Sequence, residues 1–138
     1  DLCAFAARLV ALRRAIPLLR QARFLHGRIR PADGQPDVRW RRADGAVPDP
    51  GDWHDPAFRC LCVELRIEAD GGDGRRDAVF AVFNGGPARD LTLPDTEPGW
   101  MLVLDTTRPE APPEPAQAPA TAPAQSVLLY RSNAGAPA

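Results

Sequence analysis

The chain opens on a helical rhythm of apolar residues. Leu2, Phe5, Leu9, Leu12 and Ile16 recur at spacings of three and four. At about 100° per residue they fall on one narrow face of an α-helix. Arg8 and Arg14 lie off that face and Arg13 at its edge. Pro17 disfavours helical geometry at Ile16, so the regular helix is expected to end there. A short turn continues through Leu18, Leu19 and Arg20. A helix of this length is too short to stand alone in water and must bury its stripe. No second long helix follows.

The rhythm is then lost over 27–58, which Pro31, Asp33-Gly34, Pro36, Asp44-Gly45, Pro48, Pro50-Gly51 and Pro56 punctuate. One strand, Val38–Arg41, is expected before the Asp44-Gly45 turn. From Arg59 the period becomes two. Leu61, Val63, Leu65 and Ile67 alternate with Cys60, Cys62, Glu64, Arg66 and Glu68. This predicts a half-buried strand with the aliphatic residues inward. Asp70-Gly71-Gly72-Asp73-Gly74 reads as a turn. Ala78–Phe83 is apolar on both faces, as a strand covered on both sides would be. Asn84-Gly85-Gly86-Pro87 reads as the next turn. Short strands are expected at Asp90–Leu93, through Trp100, Leu102 and Leu104, and at Ser126–Arg131. Strands so spaced and joined by turns predict an antiparallel β-sandwich behind one long helix. The Pro/Ala-rich stretch 106–125 is expected to be a mobile loop, unable to pack a core. The tail 133–138 is expected to fray.

Composition narrows the function. Hydrophobic residues make up 44% and charged residues 25% of 138, the balance of a globular domain. Every basic residue is Arg, a bias that suggests a GC-rich genome more than a function, and the net charge of −1 argues against nucleic acid as the main partner. No apolar run reaches the roughly 20 residues of a membrane span. Asp1 stands at the head of a helix with no basic leader segment, so the start reads as a cut within a longer protein. Cys3, Cys60 and Cys62 are odd in number and suit neither a disulfide framework nor a zinc knuckle, and reduced cytosolic thiols are the plain reading.

Five candidate chemistries can be weighed. Asp37, Asp44, Asp49, Asp52 and Asp55 form an acidic cluster, but Asp beside Gly or Pro is ordinary turn chemistry. His26 and His54 have no evident partner for a nucleophile relay. Cys60 and Cys62 share one strand face and could pair as ligands, although small side chains on a covered sheet surface explain them as well. Trp40 and Trp53 could stack on sugar or pack against a neighbouring domain, while Trp100 alternates into the core. Arg8, Arg13, Arg14, Arg20, Arg23, Arg28 and Arg30 read as a solvated surface with local Asp and Glu partners rather than a phosphate site.

Four segments then stand in a telling order. The first is Phe5…Leu9…Leu12-Arg13…Pro17…Leu19-Arg20…Phe24…Gly27. The second is Val38-Arg39-Trp40…Asp44-Gly45…Asp52-Trp53…Asp55-Pro56…Arg59. The third is the apolar strand into Asn84, then Leu91-Thr92-Leu93-Pro94. The fourth is Trp100…Val103-Leu104-Asp105-Thr106, the Pro-rich stretch, and Ser126-Val127-Leu128-Leu129. Together they resemble the C-terminal end of bacterial glycogen debranching enzymes of the isoamylase type, in the α-amylase superfamily.

That resemblance implies that residues 1–26 are the last helix of a (β/α)₈ barrel. Residues 59–138 would form the C-terminal β-sandwich, with 27–58 along the boundary. It implies a parent that hydrolyses α-1,6 branch linkages of glycogen or limit dextrin in the cytoplasm, without a cofactor. The partners would be the parent's own barrel and, through it, branched α-glucan. Retaining glycosidases need two carboxyl groups about 5–5.5 Å apart at the ends of barrel strands, and none of those strands is in this chain. No catalytic or metal-binding residue is therefore assigned. Leu2, Phe5, Leu9, Leu12 and Ile16 become the expected barrel-docking face, and Trp40 and Trp53 candidates for sugar contact or domain interface. Two alternatives stand beside this reading: a carbohydrate-binding module anchoring on glycogen through exposed, coplanar Trp40 and Trp53, and a stand-alone β-sandwich adaptor.

Overall fold

A computed structural model describes residues 1–22, 24–29, 34–68 and 76–134. The turn expected at 70–74, Arg23, Arg30, Pro31, Asp33 and the tail beyond 134 lie outside the described residues. Helix α1 spans Leu2–Ala15, with the Asp1 side chain accepting from the Cys3 N–H as its N-cap. It ends as Pro17 requires, with Ile16 extended, and a 3₁₀ turn follows over Pro17–Arg20.

The remaining elements are β1 (Val38–Arg41), the one-turn helix α2 (Pro50–His54), β2 (Cys60–Glu68), β3 (Arg76–Asn84), β4 (Arg89–Leu91), β5 (Met101–Asp105), β6 (Glu114–Pro115), β7 (Ala120–Ala122) and β8 (Ser126–Ala134). Six strands form one antiparallel sheet in the order β1-β2-β3-β8-β5-β6, and β4 and β7 pair as a separate ribbon. The molecule is mainly β, an antiparallel sandwich preceded by one long helix.

The large sheet is covered on both faces. On one face Cys60, Cys62, Phe80, Val82, Leu128 and Tyr130 pack under Leu91, Ala120 and Ala122 of the ribbon, with Trp100 beside them. Phe80 lies at the centre, its ring 6.0 Å from Trp100 and 6.4 Å from Tyr130. On the other face Val79, Ala81, Leu104 and Leu129 pack under Ile16 and Leu18, with Phe5 and Leu12 of α1 at the margin. Strand β3 is buried on both faces from Ala78 to Val82, as its unbroken apolar run requires.

Four expectations are corrected here. In β2 the smaller set is the more deeply buried: Cys60, Cys62 and Glu64 are buried, while Leu61, Val63 and Leu65 are only partly so. Thin cysteines fit beneath a close-lying ribbon, and the aliphatic face meets a layer that α1 only partly supplies. Second, stretch 106–125 is not excluded from the core. It carries β6 and β7, and buries Ala120 and Ala122 against the sheet. Third, Trp100 and Leu102 share one cluster but Leu104 belongs to the other. A register shift between Leu102 and Leu104 in the β5–β8 ladder breaks the simple alternation. Asn133, expected in the tail, pairs with Asp77 in β8.

Candidate functional site

Two surfaces carry features that the core does not need. The first is the face on which α1 lies. Register pairs Trp40 with Val63 and Leu61 with Phe83, so Trp40 and Phe83 point to the same side as Val63, Val79 and Ala81. Alpha-helix and 3₁₀ turn cover only part of that side. Phe83 stays 48% exposed, Trp40 44% and Trp53 50%. Of the predicted stripe, Leu2 and Leu9 are exposed and Phe5 and Leu12 half-buried on α1, while Ile16, just past the helix end, is fully buried. The helical stripe thus divides between its own sandwich and open solvent.

Trp53 comes to this surface through α2. Asp49 accepts from the Asp52 N–H at 2.9 Å, and Asp52 accepts from the Asp49 N–H at 2.9 Å. That capping box, with Pro50 behind it, closes the single turn that carries Trp53. The indoles of Trp40 and Trp53 meet edge to face, centroids 6.1 Å apart and planes at 86°. Phe58 meets Trp53 in the same way, at 6.1 Å and 84°. The two tryptophans are exposed, but they are not the coplanar pair a stacking platform needs.

The other acidic residues are also spent on local structure. Asp44 accepts from the Ala46 N–H at 3.1 Å and Asp55 from the Ala57 N–H at 2.9 Å. Asp37 is buried and accepts from the N–H of Gly27 at 2.8 Å, across the chain from His26, whose Nε2 lies 3.7 Å from its Oδ2. Burial raises the Asp37 carboxyl, but the bonds from Gly27 and His26 outweigh it and hold the group below its ordinary value. Position Gly27 has φ +67°, the left-handed backbone that lets its N–H reach Asp37. His26 receives the Arg28 N–H at Nδ1, and His54 is exposed on α2.

Cys60 and Cys62 are both free and buried on the same face of β2. Their mutual interaction lowers Cys60 and raises Cys62, with burial opposing the first shift and adding to the second. They are core residues under this chain's own ribbon. Among the described residues no three His, Cys, Asp or Glu side chains gather as metal ligands, and no helix is long and apolar enough to cross a membrane.

The expected acidic partners of the helix arginines are also corrected. Arg8 reaches three backbone carbonyls, those of Val103 at 3.1 Å, Ala111 at 2.6 Å and Pro109. It ties α1 to the Pro-rich segment rather than to a carboxylate. A guanidinium with five donors serves several carbonyls at once.

The second surface is a polar cleft of about 680 Å³ on the opposite, ribbon side. Its floor is Glu64, which the sequence reading passed over. Glu64 is buried, accepts from Arg41 Nε at 2.7 Å and also from Arg66 Nε. Arg41 further donates to the Gly45 carbonyl at 2.9 Å, and Arg66 to that of Asp95 at 3.0 Å. Burial raises the Glu64 carboxyl, but the bonds from Arg66 and Arg41 prevail and keep it below its ordinary value. The one signal in the sequence was a carboxylate on a strand next to Arg66 and opposite an Arg-rich strand.

Comparison with known proteins adds no identity: no family model matches the chain, and no curated protein matches it.

Proposed function

We propose that this chain is the C-terminal part of a debranching enzyme of the isoamylase type, acting in the cytoplasm on α-1,6 branches of glycogen or limit dextrin. In this reading α1 is the last helix of the catalytic barrel, and the sandwich is a domain without catalytic residues that caps it. The observation that carries the reading is the apolar surface on the α1 side. Leu2 and Leu9 of α1, Phe83 of β3, Trp40 and Trp53 lie exposed, with Phe58 half-buried against Trp53. Several large apolar side chains left exposed on a fold mark an interface. A barrel seated there accounts for both the half-used helical stripe and the perpendicular tryptophans, which suit packing better than stacking.

The carbohydrate-module reading is favoured by the exposure of Trp40 and Trp53 but weakened by their right-angle geometry. On this face the two indoles are interface residues.

Reading the coding sequence on the 5′ side of Asp1 is the direct test. The expected result is an open frame that encodes barrel strands with a carboxylate pair, and a whole product that releases reducing ends from a branched dextrin. A start codon directly before Asp1 overturns the proposal.

A further inference from the structure

We infer that a slot beneath the Pro-rich segment, lined by Asp105, Glu114 and Tyr130, binds a small primary amine in its ammonium form. The slot measures about 400 Å³, within the roughly 300–1,000 Å³ of small-molecule sites. It lies where the chain after β5 folds back over β5 and β8 on the ribbon side. A partner on the α1 side leaves it open.

Tyr130 is the first argument. It is 3% exposed, with its ring against Phe80. It lines the slot, and its hydroxyl bonds to no described residue. Burial, and then the charge of Asp105, push the phenol up to about 12, so it stays protonated at neutral pH. A buried hydroxyl without a partner is costly, and a ligand in the slot would supply one.

Charge is the second. Asp105 is buried and accepts from the Thr107 N–H at 2.8 Å, the Thr107 hydroxyl at 2.7 Å and Arg108 Nε at 3.1 Å. Burial raises its carboxyl, but the bonds from Thr107 and Arg108 prevail and hold it below its ordinary value. Arg108 also donates through Nη2 to one oxygen of Glu114, whose other oxygen takes no bond from a described residue. Two carboxylates thus share one guanidinium, and the slot keeps a net charge of −1. An anion would be repelled, and a neutral ligand would leave that charge unanswered.

The third argument is the count of donors. An alkylammonium brings three N–H donors and no acceptor. The slot offers acceptors to match them, in the Tyr130 hydroxyl oxygen and the spare oxygen of Glu114. Leu102, Ala116 and Leu128 give a short alkyl chain apolar contact.

The test is a ¹H–¹⁵N titration of the 138-residue chain at about pH 7, where an alkylamine is protonated, and at matched ionic strength. The probes are n-butylamine, 1-butanol and tetramethylammonium chloride. Saturable shifts at Thr107, Arg108, Glu114 and Tyr130 are expected with butylamine, and much weaker responses with the other two. Tyr130→Phe is expected to weaken binding about tenfold, the worth of one hydrogen bond to a charged group, with an unchanged melting temperature. Glu114→Gln, which leaves the slot neutral, should also weaken it. Absence of saturable shifts with butylamine overturns the site. Equal binding of butanol overturns the charge argument, and equal binding of tetramethylammonium overturns the hydrogen-bonding one; either removes the assignment to an ammonium. Affinity unchanged by both variants, or a lowered melting temperature in Tyr130→Phe, shows that the hydroxyl and the spare carboxylate serve the fold alone and overturns the proposal.

Discussion

Arg41 on the edge strand β1 reaches diagonally across the ladder to Glu64 of β2, Nε to Oε2 at 2.7 Å. The register partner of Glu64 is Arg39, yet Arg41, two residues along on the same strand face, takes the bond while also donating to the Gly45 carbonyl. A buried carboxylate is tolerable only when its oxygens are satisfied, and here both are.

Removing Glu64 therefore takes the carboxylate from both Arg41 and Arg66. Glu64→Ala is expected to destabilise the fold by about 3–5 kcal/mol in urea denaturation. The triple variant Arg41→Met/Glu64→Leu/Arg66→Met removes all the charges and should lose clearly less than Glu64→Ala. Acid should have a matching effect. The folded carboxyl lies below its ordinary 4.5, so its contribution is complete above that value and is lost as pH falls through the folded value. Wild type should lose stability below about pH 4.5, and Glu64→Gln should show a shallower acid loss. An unchanged acid profile in Glu64→Gln would sink this assignment.

Much of the fold was legible because it obeyed one local rule at a time. The helix stop at Pro17, the Val38–Arg41 strand and the doubly covered β3 follow from Pro geometry and apolar period. The face of β2 did not follow. Leu61, Val63 and Leu65 look like the inward set, but tertiary packing buried Cys60 and Cys62 because a ribbon only three residues deep lies close above them. The cleft was hidden for a related reason. Glu64 and Arg41 are 23 positions apart, and period-two reading assigns a carboxylate to solvent. The apolar side was half legible: the α1 stripe was visible, whereas Phe83 looked like core.

Arg8 gives the second prediction. It joins α1 to the Val103 carbonyl of β5 and to those of Pro109 and Ala111 in the segment after it. Arg8→Ala is expected to cost about 2 kcal/mol, as charged hydrogen bonds to carbonyls do. Amide exchange should quicken across Val103–Ala111. Arg8→Lys should recover only part of the loss, since one ammonium cannot hold three carbonyls in the same fork geometry.

The exposed apolar side leads to the third. If a barrel normally covers Leu2, Leu9 and Phe83, the isolated chain should self-associate as its concentration rises. Sedimentation velocity should show this. Leu2→Ser with Phe83→Ser should reduce association while costing about 1 kcal/mol or less, because neither side chain is buried. A strictly monomeric wild type at every concentration counts against a covered face.

Ala122 offers the sharpest check on the segment that composition misrepresents. Pro and Ala in quantity suggest a chain with nothing to bury, but Ala122 is 0% exposed and Ala120 sits beside it in the ribbon. A methyl is what fits there, because β7 lies over Val82 and Leu128 with no depth for a longer side chain. Asn84 fastens the same region, donating from Nδ2 to the carbonyls of Pro87 at 2.9 Å and Pro123 at 2.8 Å. The ribbon therefore cannot simply lift to admit a larger group. Ala122→Leu is expected to overpack the seam and cost about 1–3 kcal/mol in thermal or urea denaturation. Thr121→Leu, one residue earlier and pointing outward, should cost about 0.5 kcal/mol or less. Equal, small effects at both positions would mean that the stretch never packs, and the second layer of the sandwich would have to be abandoned.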